Sequence, residues 1–323
     1  MMTKSPVRSR LVPDLAWSRF LIATGLGVSL IAASSQPRPE GKKDPIIVQG
    51  ERLPEAAVEE RASQFVRSTG VAAGTVPAAR WIDPVCVQVQ GLEEVGKRAA
   101  EAKMRRIAAS AGIKVAPESC RPNIVVNFTS DGAGLAQGIQ RRDSRRIAQL
   151  SPRARESFLT GSAPIRWIYS TEVRGRDGQS VNADGGAGQT MAATHDGSGA
   201  GSGLGGDITM MHYDNSIVST LTNRVLTSSI VIIDTDHAMG RKLDALAAYA
   251  ALVAFAEIRN LDATPDGSIL GMFESSTPPR ELTPQDTAFL RALYRMPLDR
   301  QAMRHRGQLV HDITRDLADG DEL

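Results

Sequence analysis

The chain has 323 residues, 41% of them apolar and 23% charged, enough to bury the core of one large or two modest globular domains. Its net charge of +2 comes from the front: residues 1–35 hold four of the 38 Lys and Arg and one of the 36 Asp and Glu, leaving 34 against 35 in the rest. That balance gives no argument for a nucleic-acid or membrane-surface partner, and aromatics at 4% leave the core to Ala, Val, Leu and Ile.

Residues 1–35 read as a signal peptide. Lys4, Arg8, Arg10 and Arg19 form a basic front, Phe20–Ala33 is an apolar run of export length, and small residues follow, which puts cleavage near Ser34–Gln36. An uncut membrane anchor is the alternative, and the run is short for a span. The expected location is therefore periplasmic or secreted, with no membrane insertion once the leader is removed. In an oxidising compartment the two cysteines, Cys86 and Cys120, are expected to form one disulfide rather than stay as buried thiols.

Residues 36–75 are a polar linker and an N-terminal helix over Pro54–Thr69, with Gly70 as its stop. An α/β core domain is expected over 76–260. It starts with a strand at Val85–Val89, a helix over Leu92–Ala111 capped by Gly112, and a strand at Asn123–Thr129. That order is a crossover and favours a parallel pair. A polar helix over Gly134–Leu150 carries Arg141, Arg142, Arg145 and Arg146, read as a solvated face because Asp143 and Gln140 interleave and no aromatic does. Ser151-Pro152 opens another helix, and Ile165–Val173 alternates as a strand. Residues 175–206 read as a surface insertion, with nine glycines between Gly185 and Gly206. Strands are expected at Ile217–Leu226 and Ile230–Ile233.

The centre of the chain is Leu243–Ile258. From Ala245 to Ala256 no residue is charged, and a helix apolar on every side is buried on every side. A C-terminal helical segment, 261–323, follows, with Thr283-Pro284 opening a helix over Gln285–Tyr294 and a last amphipathic helix over Asp299–Leu317.

Chemistry is sparse. None of the five histidines forms His-Glu-x-x-His, no Gly-x-Ser-x-Gly elbow exists, and neither cysteine has a His beside it in sequence. The candidate catalytic cluster is Asp234, Asp236 and His237, at the C-terminal end of a predicted strand, where α/β sheets commonly bind ligands. The competing reading gives Asp234 to a turn and Asp236 to a helix cap. No metal and no cofactor is expected.

The residues Trp81–Cys86, Cys120–Ile124, Pro164–Tyr169 and Val231–Asp234 resemble a family of exported proteobacterial proteins of unknown function. The pattern Gly267–Leu270, Leu282–Asp286 and Leu290–Tyr294 resembles a related envelope family. The resemblance implies a zincin-like layout, in which a strand precedes a helix that would carry His-Glu-x-x-His. The corresponding helix here, Leu243–Ile258, has no His, so no zincin site residue carries over. The expectation is an α/β (α+β) fold: a mixed central sheet, a buried core helix and a C-terminal helical subdomain. The expected role is non-catalytic binding or assembly with an unknown envelope protein or cell-wall component, and no nucleic acid. The alternative is a hydrolase working near Asp234–His237.

Overall fold

Among the residues it describes, the computed structural model has four strands and eight α-helices in a mixed α/β structure. It describes residues 54–148, 150–175, 178–180, 220, 222–259 and 264–320, so the leader, the linker and the Gly185–Gly206 insertion lie outside the described residues. The described residues belong to the unit Arg52–Leu323.

The sheet contains β1 (Val87–Gln90), β2 (Ile124–Thr129), β3 (Ile165–Gly175) and β4 (Thr222–Asp234), in the order β1-β2-β4-β3. β1, β2 and β4 are parallel, and β3 is an antiparallel edge on β4. The expected strand–helix–strand crossover is β1, α2 (Glu94–Ser110) and β2, and its strands do pair in parallel. Where two strands are expected, at Ile217–Leu226 and Ile230–Ile233, β4 runs unbroken from Thr222 to Asp234. The polar stretch Thr227-Ser228-Ser229 looks like a break. However, Ser228 and Ser229 pair with Ser170 and Tyr169, and a bulge beside Ser170 takes up the irregularity.

Alternation along β4 sends its side chains to two different layers. Val231 and Ile233 join the main core with β1, β2, α2 and α6 (Leu243–Phe255). Ile230 and Ile232 face a smaller core made with α3 (Gly132–Arg142), α4 (Ser144–Ala148) and α5 (Pro152–Thr160). The single helix expected over Gly134–Leu150 is two helices. Asp143 leaves helical geometry at φ −139, ψ 68, and its carboxylate accepts the Arg146 N–H at 3.3 Å, starting the next turn. α1 (Glu55–Ser68), α7 (Pro284–Arg295) and α8 (Ala302–Gly320) complete the main core. Among the described residues no helix is long and apolar enough to cross a membrane.

α6 is buried on every side, with Ala248 and Ala250–Phe255 wholly inaccessible. A buried helix end has four carbonyls to satisfy and no water to do it. Here the scarce aromatics do it. Tyr169 Oη donates to the carbonyls of Val253 and Ala256, Trp81 Nε1 to Ala254, and Tyr294 Oη to Phe255. Burial raises the pKa of both tyrosines above their ordinary value, so they stay protonated donors. The helix ends at Phe255, three residues before the expected Ile258, because Ala256 turns extended at φ −126. That turn brings Glu257 onto Arg224, with Oε2 2.7 Å from Nη1 and Oε1 2.9 Å from Nη2. Arg224 also donates to the Pro77 carbonyl, and Arg259 donates to Glu257.

Cys86 and Cys120 are disulfide-bonded, with Cα atoms 6.0 Å apart. The bond ties the residue before β1 to the approach to β2. Closing a loop of 34 residues stabilises by about 3–4 kcal/mol in the chain-entropy model. Asn123 reinforces the join, accepting the Cys86 N–H at 2.7 Å and donating to the Pro84 carbonyl.

At the other end Thr283 caps α7 as expected. Asp286 closes the capping box and also accepts from Ser268 Oγ and the Ile269 N–H, which pins the 268–271 turn to α7. His305 of α8 is fully buried. Its Nδ1 accepts the Ala78 N–H at 3.1 Å and its Nε2 lies 2.9 Å from the Pro297 carbonyl, which fixes a neutral ring with the proton on Nε2. Burial lowers its pKa to about 4, against the smaller pull of the Pro297 carbonyl. The unfolded chain therefore binds a proton below pH ~6.5 that the folded chain refuses until pH ~4. Stability contributed by this neutral histidine is complete above pH ~6.5 and falls by roughly 3 kcal/mol on the way to pH 4. In His305→Gln the amide can accept from Ala78 and donate to Pro297 without titrating. Urea unfolding should show a flatter acid dependence in this variant, and identical slopes in the two proteins would refute the assignment.

Candidate functional site

β2 and β4 are neighbours in the sheet and run in parallel, yet the helices that follow them leave to opposite faces. α3 turns back over the smaller core, and α6 returns through the main one. Adjacent strands whose connections part in this way leave a crevice at their carboxyl ends, the usual ligand position in open α/β sheets. Thr129 and Asp234 end the two strands, so the expected cluster lies at this switch point.

Two of its three members meet. His237 Nδ1 lies 2.9 Å from Asp234 Oδ1, and the His237 backbone N–H donates to the same oxygen at 3.2 Å. Asp234 Oδ2 accepts the Gly132 N–H at 3.1 Å, at the start of α3. Beneath it the buried Arg166 guanidinium places Nη1 3.9 Å away and donates through Nη2 to the Gly161 carbonyl. Burial works to raise the Asp234 carboxyl. Donation from the His237 ring, the His237 N–H and the Gly132 N–H outweighs it, and its pKa falls below the ordinary Asp value. An ionised carboxylate only accepts, so His237 Nδ1 is the donor in this contact. The His237 side chain is 48% exposed.

Asp236 is exposed and does not join the pair. Nor does it cap α6. The chain makes turns from Thr235 to Gly240, and the cap position falls at Lys242, six residues later, with no side-chain bond. Asp234 holds the turn as the competing sequence reading has it, its carbonyl taking the Ala238 N–H at 2.9 Å.

Sequence reasoning missed Gly132 and Arg166. A Cβ on Gly132 would lie 2.5 Å from Arg166 Nη1 and 2.9 Å from Asp234 Oδ2, so any side chain there must push the guanidinium or the carboxylate aside. The run Asp131-Gly132-Ala133-Gly134 just after a strand was the available signal. Such a strand–glycine–helix turn can cradle phosphate on its N–H groups. Here Asp131 Oδ1 takes the Gly134 N–H at 2.7 Å and Asp234 takes that of Gly132, so the chain's own carboxylates fill that place.

An Asp-oriented imidazole is the base half of a nucleophilic hydrolase. Among the described residues no hydroxyl or thiol is hydrogen-bonded to His237, and both cysteines are in the disulfide. No three His, Cys, Asp or Glu side chains among the described residues stand close enough to hold a metal ion. Two clefts, of about 440 Å³ between α1 and α8 and about 400 Å³ over residues 264–279, lie away from Asp234 and His237. His195 and His212 lie outside the described residues. Comparison with protein-family models, curated proteins and solved structures finds no match to the chain.

Proposed function

We propose that the chain is an exported envelope protein that works by binding or assembly on a zincin-like scaffold, its partner being another envelope protein or a cell-wall component. One observation carries this reading. The helix that follows β4, where a zincin would hold its two histidines and its glutamate, is α6, and it is buried on every side among Ala, Leu, Val and Phe. Its faces are used for packing, and its C-terminal carbonyls are held by Tyr169, Trp81 and Tyr294. The basic-then-apolar order of residues 1–35 and the Cys86–Cys120 bond support the exported location.

A second reading, a hydrolase centred on Asp234 and His237, is favoured by the 2.9 Å contact between them at the switch point. Against it, Asp234 already serves the fold through the Gly132 and His237 N–H groups. Cross-linking in cells, followed by mass spectrometry, decides between these roles. The binding reading expects discrete cross-links to one or a few envelope components. Recovery of the chain uncross-linked, together with hydrolysis of a peptide or ester substrate by the purified protein, would replace it with the second.

A further inference from the structure

We propose that the α3–α4–α5 layer is a docking face for an anionic phospholipid surface; this goes beyond the binding reading above by adding a lipid surface to its partners. Between residues 141 and 156 the chain places six arginines against only Asp143 and Glu156. They stand on three helices that pack together over Ala136, Ile147, Phe158 and Leu159, so one layer carries them all.

The fold employs some of them. Arg146 pairs with Asp143 at 3.1 Å, and Arg155 donates to the Ala148 and Leu150 carbonyls at the end of α4. Arg141, Arg142 and Arg145 are exposed and have no hydrogen bond or ion pair among the described residues. The negative end of the α3 dipole accounts for cations in its last turn, where Arg141 and Arg142 sit. It does not account for Arg145, or for the lack of carboxylates to balance them. Elsewhere exposed Arg67, Arg98 and Arg295 close on carboxylates, while exposed Arg61, Arg121, Arg280 and Arg304 have none among the described residues, so it is the clustering of cations on one layer that sets this face apart.

The chemistry of the face selects its partner. All six cations are arginines, and no lysine occurs between Lys114 and Lys242. The planar guanidinium fork takes phosphate oxygens two at a time, which an ammonium does not. The three free side chains are exposed and spread over two helices, so they meet several phosphates side by side rather than enclosing one. Phe158, the layer's aromatic, is buried beneath it, which removes the stacking platform that single-stranded nucleic acid needs. A membrane rich in anionic headgroups supplies many phosphates in one plane and requires only charge. It also requires no insertion, since α4 has five residues and its apolar Ile147 points into the core.

The test uses the full chain and two vesicle types, phosphatidylcholine alone and phosphatidylcholine with 30% phosphatidylglycerol. The leader's basic front and apolar run are the same in wild type and variant, so the readout is the change between them in the ratio of the two partition coefficients. Each basic residue at an anionic surface is worth about fivefold, so the ratio should fall about 100-fold in R141Q/R142Q/R145Q. It should also fall in the wild type as salt rises. The three positions are exposed, and an unchanged melting temperature verifies that the variant is folded. Equal wild-type partition into both vesicles would overturn the proposal, as would a variant whose ratio equals that of the wild type. Wild-type binding to inorganic phosphate or to an oligonucleotide without vesicle preference would overturn it too. A null vesicle result with envelope cross-links intact sinks the lipid face alone; absent cross-links sink the binding reading itself.

Discussion

Leu252→Asp should abolish cooperative folding. Leu252 is wholly inaccessible in the middle of α6, with no cation near it on its own helix and apolar neighbours on every side. A carboxylate there must be buried unpaired or protonated, and either costs several kcal/mol on top of the lost leucine packing. Domains of this kind are stable by about 5–15 kcal/mol, so the loss is a large part of the whole. Leu252→Met keeps volume and polarity and should unfold cooperatively within a few degrees of the wild type. Circular dichroism through a thermal ramp reads both. A sharp transition in the Asp variant near the wild-type temperature would mean that α6 has a wet face, and the packing account of the helix would fail.

Glu257→Ala should destabilise by about 3–5 kcal/mol in denaturant unfolding. The carboxylate neutralises Arg224, which is buried and makes a two-pronged contact with it, and it also receives Arg259. Removing it leaves the Arg224 charge inside the protein with only the Pro77 carbonyl and Thr171 Oγ1 as acceptors. Removing both charges is gentler: Arg224→Met with Glu257→Leu should recover most of the loss, because an apolar pair of similar volume needs no counter-charge. The pair also holds the Glu257 pKa down, burial being outweighed by Arg224 and then Arg259. A single-variant cost below about 1 kcal/mol would show that water reaches the guanidinium.

What could be read from the sequence follows the length scale of each signal. α6 was legible because twelve uncharged residues in a row admit one physical outcome, burial. The disulfide was legible because two cysteines have one partner each, and the caps at Ser151 and Thr283 because the bonds they make are local. From sequence β4 reads as two strands because Thr227-Ser228-Ser229 are polar, and the pairing that keeps them in a strand comes from Ser170 and Tyr169, some sixty residues away. The end of α6 reads three residues too late for a related reason. Ala256 continues the apolar run, and only the Arg224–Glu257 pair, made across the fold, shows why the chain leaves helix there. Of the candidate site, Asp234 and His237 meet at i and i+3 and so were within reach of sequence. Arg166 and Gly132 were not, because β3 and α3 bring them to Asp234 from far along the chain. Trp81, Trp167, Tyr169 and Tyr294 serve as donors to α6 and the segment after it, so these aromatics carry fold.

The binding reading is tested most directly by repeating the cell cross-linking with His237→Ala beside the wild type. His237 is half exposed, and its backbone N–H, which the turn needs, is kept by alanine. The account predicts the same cross-linked partners in the same proportion for both chains. Wild-type turnover of a substrate that vanishes in His237→Ala, with no partner cross-linked to either chain, would contradict it.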